Sequence, residues 1–291
     1  HDADSLPIKD VLSYEKLDLN FRVHFSLTKN DYLFCKQGQR SIKIYADGAL
    51  GSRGAALLES YEDKESRGLV LLDSDIDSYL RKIAMRNCQI QIHAIGDRGN
   101  QMVLNAYEKA YKDFPKKDLR WRIEHAQNVI EVDRKRFKDL NIIASMQPSH
   151  AIGDLHFAED RLGFERLSNA YTWKSFIDDG VIVVGGSDAP VEVGDPLIEF
   201  YAAVTRKDLD GYSNEGWNLQ QALSREQALA IFTKWPAYAI FKEEKLGTLE
   251  IGKLADITIF DQDIMTIPNE DILATKVVMT VVGGKIVYIN G

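Results

Sequence analysis

Lys43, His93, His125 and Asp188 are the side chains whose types and spacing can do chemistry together. Each closes a short apolar stretch: SIKIYADG, QIQIHAIGD, RWRIEHAQ and VIVVGGSDAP. Neutral imidazoles and a carboxylate are good donors for a divalent ion such as zinc. Alternation in Gln89-Ile90-Gln91-Ile92-His93 turns the isoleucines to one face of a strand and aims His93 with the glutamines to the other. His125 repeats the arrangement one strand later. A lone histidine of this kind is commonly a hydrogen-bonded core residue, whereas two on consecutive strands point to a shared metal. Lys43 lies between Ile42 and Ile44 and points to the same side as the histidines. A buried lysine is costly unless paired or neutral. Two readings stay open: an ion pair with a carboxylate such as Asp188, or a neutral amine that captures carbon dioxide as an anionic, metal-bridging carbamate. Asp188 follows Gly185-Gly186-Ser187 and can ligate metal and accept a proton from water. The competing reading is an N-cap for the next helix, and Pro190 two residues on favours it.

Weaker signals surround these four. Gln147 and His150, in MQPSHAIGD, are placed to contact substrate or a leaving group, and Asp154 with them. Arg53, in GALGSRGA, is placed to bind an anionic substrate group; that loop is GxxGxxG, not a dinucleotide fingerprint. His24 reads as a core histidine, and neither His1 nor His156 has context to argue from.

Elements must position such residues at one place. Strands are expected at 21–26, 41–45, 89–93, 120–125, 142–146 and 181–185, with helices at 75–87, 99–113, 131–140, 169–179, 196–205 and 224–234. Ser224-Arg225-Glu226-Gln227 has capping-box form. Strands alternating with helices imply βα units and a parallel sheet. Polar residues at the carboxyl ends of several different strands favour a (β/α)8 barrel, which gathers them at one mouth, over an open sheet with a single switch point. The barrel is expected over 1–238. Residues 239–291 turn β-rich, with runs at 255–260, 276–282 and 285–289 and a Gly283-Gly284 hairpin signal between the last two. This tail is too slight for a core of its own and reads as part of a small β-sandwich.

Composition narrows the classes. With 291 residues, 45% of them hydrophobic, the chain can build a sizeable core. A formal net charge of -8 without blocks of like charge argues against nucleic acid. No apolar run is long enough to span a membrane. Cys35 and Cys88 are too few for a disulfide framework and are expected to be reduced, in a cytoplasmic protein. The chain opens with His1-Asp2-Ala3-Asp4 and no methionine, which reads as a start within a longer protein.

The segments IKIYADGALGSRGAAL, QIHAIGDRGN, RIEHAQNV, SMQPSHAIGD, GGSDAPVE and LGTLEIGKLADITIFD, in that order, resemble the amidohydrolase superfamily, in particular the branch with the N-substituted formamide deformylases. The resemblance implies a (β/α)8 barrel with a small β-sandwich, and a divalent metal, usually zinc, at the barrel mouth. It implies that Lys43 is a carboxylated bridging ligand, His93 and His125 are metal ligands, and Asp188 is both ligand and general base. The implied reaction is attack of metal-activated hydroxide on the carbonyl of a small amide-type substrate, cleaving a non-peptide carbon–nitrogen bond. The departure is at the front, where the family's first strand ends in His-x-His and this sequence has no such pair. The expectation is that this chain alone holds at most one metal, weakly, and is inactive. Its unpaired sheet edges are expected to associate with another copy or with a missing N-terminal segment. Two other readings are a non-catalytic, truncated barrel that binds a partner, and a metal-free enzyme using Lys43 as a Schiff-base nucleophile.

Overall fold

Seven short segments, most of them alternating apolar and polar residues, build one parallel sheet. The structure is a computed structural model that describes residues 2–115 and 117–290, with side chains from Ser5 onward. The strands are β1 (Asp2–Leu6), β2 (His24–Leu27), β3 (Arg40–Tyr45), β4 (Ile90–Ala94), β5 (Arg122–His125), β6 (Ile143–Met146) and β7 (Val183–Gly185). They lie side by side in chain order, and every neighbouring pair is parallel. Such an order has no reversal and so no switch point, which removes the doubly wound alternative. Of the opening HDAD, His1 lies outside the described residues, and the rest begins β1.

The period of two sorts the side chains by face. Ile42, Ile44, Ile90, Ile92 and Ile123 are buried in one cluster with Leu80 and Ile83 of the helix Ile76–Met85 and Val103, Leu104 and Tyr107 of the helix Asp97–Asp113. Burial of each such aliphatic side chain contributes about 1.5–3 kcal/mol. The opposite face carries a buried polar layer. Ser26 and Ser41 share a hydrogen bond of 2.9 Å, Gln91 donates to Ser26 and accepts from Arg122, and Arg122 donates to Glu124 at 3.0 Å. A buried polar layer is tolerable because its members satisfy one another.

Several boundaries differ from expectation for local reasons. The first expected strand begins at His24, because Phe21 is exposed. The helix expected at 169–179 is confined to Trp173–Asp178, since Tyr171 adopts a left-handed φ of 55°. The helix at 224–234 becomes Arg225–Phe232 and Lys234–Ala239, interrupted at Thr233. Its capping box forms, with Ser224 Oγ accepting the Gln227 N–H at 3.2 Å and Gln227 Oε1 accepting the Ser224 N–H at 3.0 Å. A short helix not expected from periodicity, Pro148–Asp154, follows β6 and has proline in its first turn.

The cysteines are a correction. Cys35 and Cys88 form a disulfide, with their Cα atoms 5.9 Å apart. They lie 53 residues apart in the chain, but each precedes one of the paired strands β3 and β4, and the parallel ladder draws them together. The ground for expecting reduced cysteines in a cytoplasmic setting goes with that correction. Among the described residues no helix is long and apolar enough to cross a membrane.

The tail forms an antiparallel sheet, β8 (Ile257–Phe260), β9 (Val277–Val282) and β10 (Lys285–Ile289), in the order β10-β9-β8. Gly283 and Gly284 have φ of 57° and 80°, the two positive values that a type I′ hairpin needs. Phe260, Met265 and Ile267 pack on the main core, while Ile259, Ile286 and Ile289 stay exposed.

Candidate metal centre at the carboxyl ends of the strands

Parallel strands in sequential order put their carboxyl ends along one edge, so residues at the ends of β3 to β7 meet there. His93 sits in β4 and His125 closes β5. Asp188 lies just beyond β7, and His150 sits on the helix that follows β6. The rings of His93 and His125 meet edge to face with centroids 4.5 Å apart, and His150 stacks on His125 at 5.6 Å. His150 Nε2 is 3.7 Å from Asp188 Oδ2 and 3.8 Å from Glu192 Oε1. Lys43 is buried in β3, with Nζ 4.9 Å from the ring centroid of Tyr45, whose ring in turn lies 5.5 Å from that of His93.

The imidazoles are held neutral. Burial, with the Lys43 amine nearby, lowers His93 to about 4. Burial alone lowers His150 to about 4. His125 is pushed well below the ordinary histidine value, first by burial and then by the adjoining His93, His150 and Lys43. Neutral imidazole is the metal-binding form. Gln147 Oε1 accepts the Nδ1–H of His125 at 2.8 Å, which leaves the lone pair on Nε2. Nε2 of His93 and Nε2 of His150 are buried and make no hydrogen bond. Neutral nitrogen donors without hydrogen bonds beside a carboxylate fit a divalent ion. His125 and Asp188 also adopt left-handed φ values, 73° and 58°. Backbone strain of this kind persists where surrounding structure enforces it, commonly at functional sites.

The alternatives for the predicted residues resolve unevenly. The N-cap role proposed for Asp188 falls to Asp195, whose side chain accepts the Leu197 N–H at 2.9 Å at the start of the helix Pro196–Thr205. Arg53 forms a two-pronged pair with Asp63 at 2.9 and 2.6 Å, and Arg161 reaches the same carboxylate. Gln147 orients His125, and His150 stands among the candidate ligands. Asp154 accepts from Gln127 at 2.9 Å and from the Tyr171 hydroxyl, and burial lifts it to about 6. His24 is buried in β2, and His156 lies 3.7 Å from Asp208.

Two carboxylates were missed. Asp47 accepts the backbone N–H of Ala56 at 2.8 Å, Ile95 at 2.9 Å and Gly96 at 2.8 Å, and its Oδ1 lies 3.5 Å from His93 Nε2. It ties the loop after β3 to the loop after β4; a Cβ on Gly96 would collide with the Ala56 carbonyl oxygen. The available signal was an acid followed by glycine immediately past the Lys43 strand. The other is Glu199, which accepts the Ser149 N–H at 3.0 Å and the Ser149 hydroxyl, and so anchors the first turn of the His150 helix. Nothing local in the sequence marks that pairing. A cavity of ≈ 200 Å³ beside this helix is lined by Ser149, His156, Glu192, Glu199, Asp208 and Leu209 among others.

Burial pushes Glu199 from 4.5 up to about 7, against the pull of its Ser149 hydrogen bonds. The folded state therefore holds this proton more tightly than the unfolded state. The carboxyl's contribution to stability is fully present below 4.5 and is lost as pH rises through about 7. The urea midpoint of the parent relative to Glu199→Gln is expected to fall over that interval. A pH-independent difference between the two would show that Glu199 does not titrate there.

The chain is similar to known proteins in both sequence and fold. The sequence profile of the amidohydrolase family matches residues 4–288. YtcJ of Bacillus subtilis (strain 168), which is named as an amidohydrolase, is 34% identical over 250 residues, 85% of this chain and 47% of that protein. The N-substituted formamide deformylase of Arthrobacter pascens is 26% identical over 220 residues, 74% of this chain and 39% of that protein. An uncharacterized metal-dependent hydrolase from Pyrococcus furiosus superposes with a TM-score of 0.70 at 27% identity, covering 84% of this chain and 51% of that one. The chain thus spans about half or less of the length of these relatives.

Proposed function

The chain belongs to the amidohydrolase family, and from that premise we propose that it is the metal-binding part of a hydrolase that cleaves the carbon–nitrogen bond of a small amide-type substrate. The proposed fold is a (β/α)8 barrel to which the seven parallel strands belong, with the tail as part of the accompanying β-sandwich. The observation that carries the functional reading is the cluster of neutral, buried imidazoles beside Asp188, with the Nε2 atoms of His93 and His150 left without hydrogen bonds.

His93, His125 and Asp188 would hold a divalent ion, zinc being well suited to this donor set. Lys43 would join them as a carbamate, formed when its amine, once deprotonated, adds to carbon dioxide and releases one further proton. Bound there, the ion supplies Lewis acidity, which lowers the pKa of water and polarises a carbonyl oxygen. Asp188 then accepts the proton of the attacking water and returns it to the departing nitrogen. Gln147 keeps His125 in the Nδ1–H tautomer throughout. The deformylase relative acts, by its name, on N-substituted formamides, so formate release from such a formamide is the first activity to assay.

Metal content tests the reading. Protein of verified intact mass, grown with added zinc and bicarbonate, is expected to carry at least one divalent ion per chain by elemental mass spectrometry. Metal-free protein under those conditions would overturn it and favour a non-catalytic, partner-binding barrel.

A further inference from the structure

We infer that His150, which the family resemblance does not place among the metal ligands, is itself a ligand, completing a three-residue site with His125 and Asp188. This inference rests on the metal-dependent reading above and adds to it. One donor atom from each of His125, His150 and Asp188 can be chosen so that all three lie within 4.8 Å of one another, the spread that a single ion spans. The three come from different elements: the end of β5, the helix after β6 and the turn after β7.

The surroundings of His150 argue for the same role. Its Nε2 is buried and makes no hydrogen bond, yet it faces Asp188 Oδ2 at 3.7 Å and Glu192 Oε1 at 3.8 Å. A bare nitrogen lone pair there would be repelled by both carboxylates, and an N–H would find no acceptor, since neither distance is a hydrogen bond. A cation among the three groups gives the His150 nitrogen the partner it lacks. An external cation resolves the arrangement.

The supporting structure is rigid where a ligand needs it. Glu199 pins Ser149, the residue before His150, through both its backbone N–H and its hydroxyl. Gln147, three residues before His150, holds His125 at 2.8 Å, so one short segment orients two of the three ligands. His93, whose ring lies 4.5 Å from that of His125, has its Nε2 3.5 Å from Asp47 Oδ1.

Cobalt(II) titration of the chelator-stripped chain tests the assignment, read by the visible d–d absorption and by calorimetry. The parent, His125→Ala, His150→Ala and His150→Gln are compared, with circular dichroism confirming that each is folded. Glutamine keeps bulk and polarity at position 150 if alanine disturbs the helix. Both His150 variants are expected to bind cobalt at least about tenfold more weakly, with a changed d–d spectrum. If His125→Ala loses cobalt while both His150 variants match the parent in affinity and spectrum, His150 is not a ligand and the metal-dependent reading survives. If the parent takes up no cobalt, both the assignment and that reading fail.

Discussion

In a metal-loaded form of the protein that releases formate from an N-substituted formamide, Asp188→Asn is expected to lower kcat/KM by roughly 10²–10⁴-fold, the usual worth of a positioned proton carrier. Asparagine keeps the shape of the side chain and still offers an oxygen, but it cannot take a proton from water or return one to the leaving nitrogen. The backbone will accept the change. Asp188 has a φ of 58°, and asparagine and aspartate are the residues other than glycine most at ease there. The side chain is 39% exposed, so little packing is lost. Formate release measures the rate, and an unchanged urea midpoint confirms that the loss is chemical. A variant as fast as its parent would remove Asp188 from the reaction.

The largest effect on stability is expected at Asp47. Its carboxylate is buried and is the acceptor for three backbone N–H groups from two loops. Asp47→Ala strands all three donors. Each buried, unsatisfied donor costs about 1–3 kcal/mol, so a total of at least about 3 kcal/mol is expected. Urea denaturation of the metal-free chain measures it. Asp47→Asn should fall between alanine and the parent, since the amide keeps one oxygen but turns its nitrogen, itself a donor, toward the others. The loss should extend to the centre, because the two loops that Asp47 joins flank Lys43 and His93. An alanine variant as stable as the parent would show that the loops hold their positions without this clamp.

Lys43, His93 and His125 were legible in the sequence because a strand's alternation is local: Ile42 and Ile44 on one face force Lys43 to the other, whatever the strand pairs with. The capping box at Ser224 and the Gly283-Gly284 hairpin were legible for the same reason, each being specified within a few residues. The boundaries at Tyr171 and Thr233 were not, because a single backbone angle fixed by packing ended each helix. The disulfide was misread because counting cysteines says nothing of distance, and 53 residues of separation collapse to a Cα spacing of 5.9 Å once β3 and β4 pair.

The candidate centre divides along the same line. By itself the sequence determined which residues lie at or near the strand ends and which of them are of metal-ligating type, since residue type and alternation are properties of short segments. Only the tertiary structure decided that His150 faces Asp188, that Gln147 sets the His125 tautomer, and that Asp47 and Glu199 brace the loops and helix around them. Those relations join elements tens of residues apart. They exist only because seven parallel strands, stacked in order, bring their carboxyl ends to one edge.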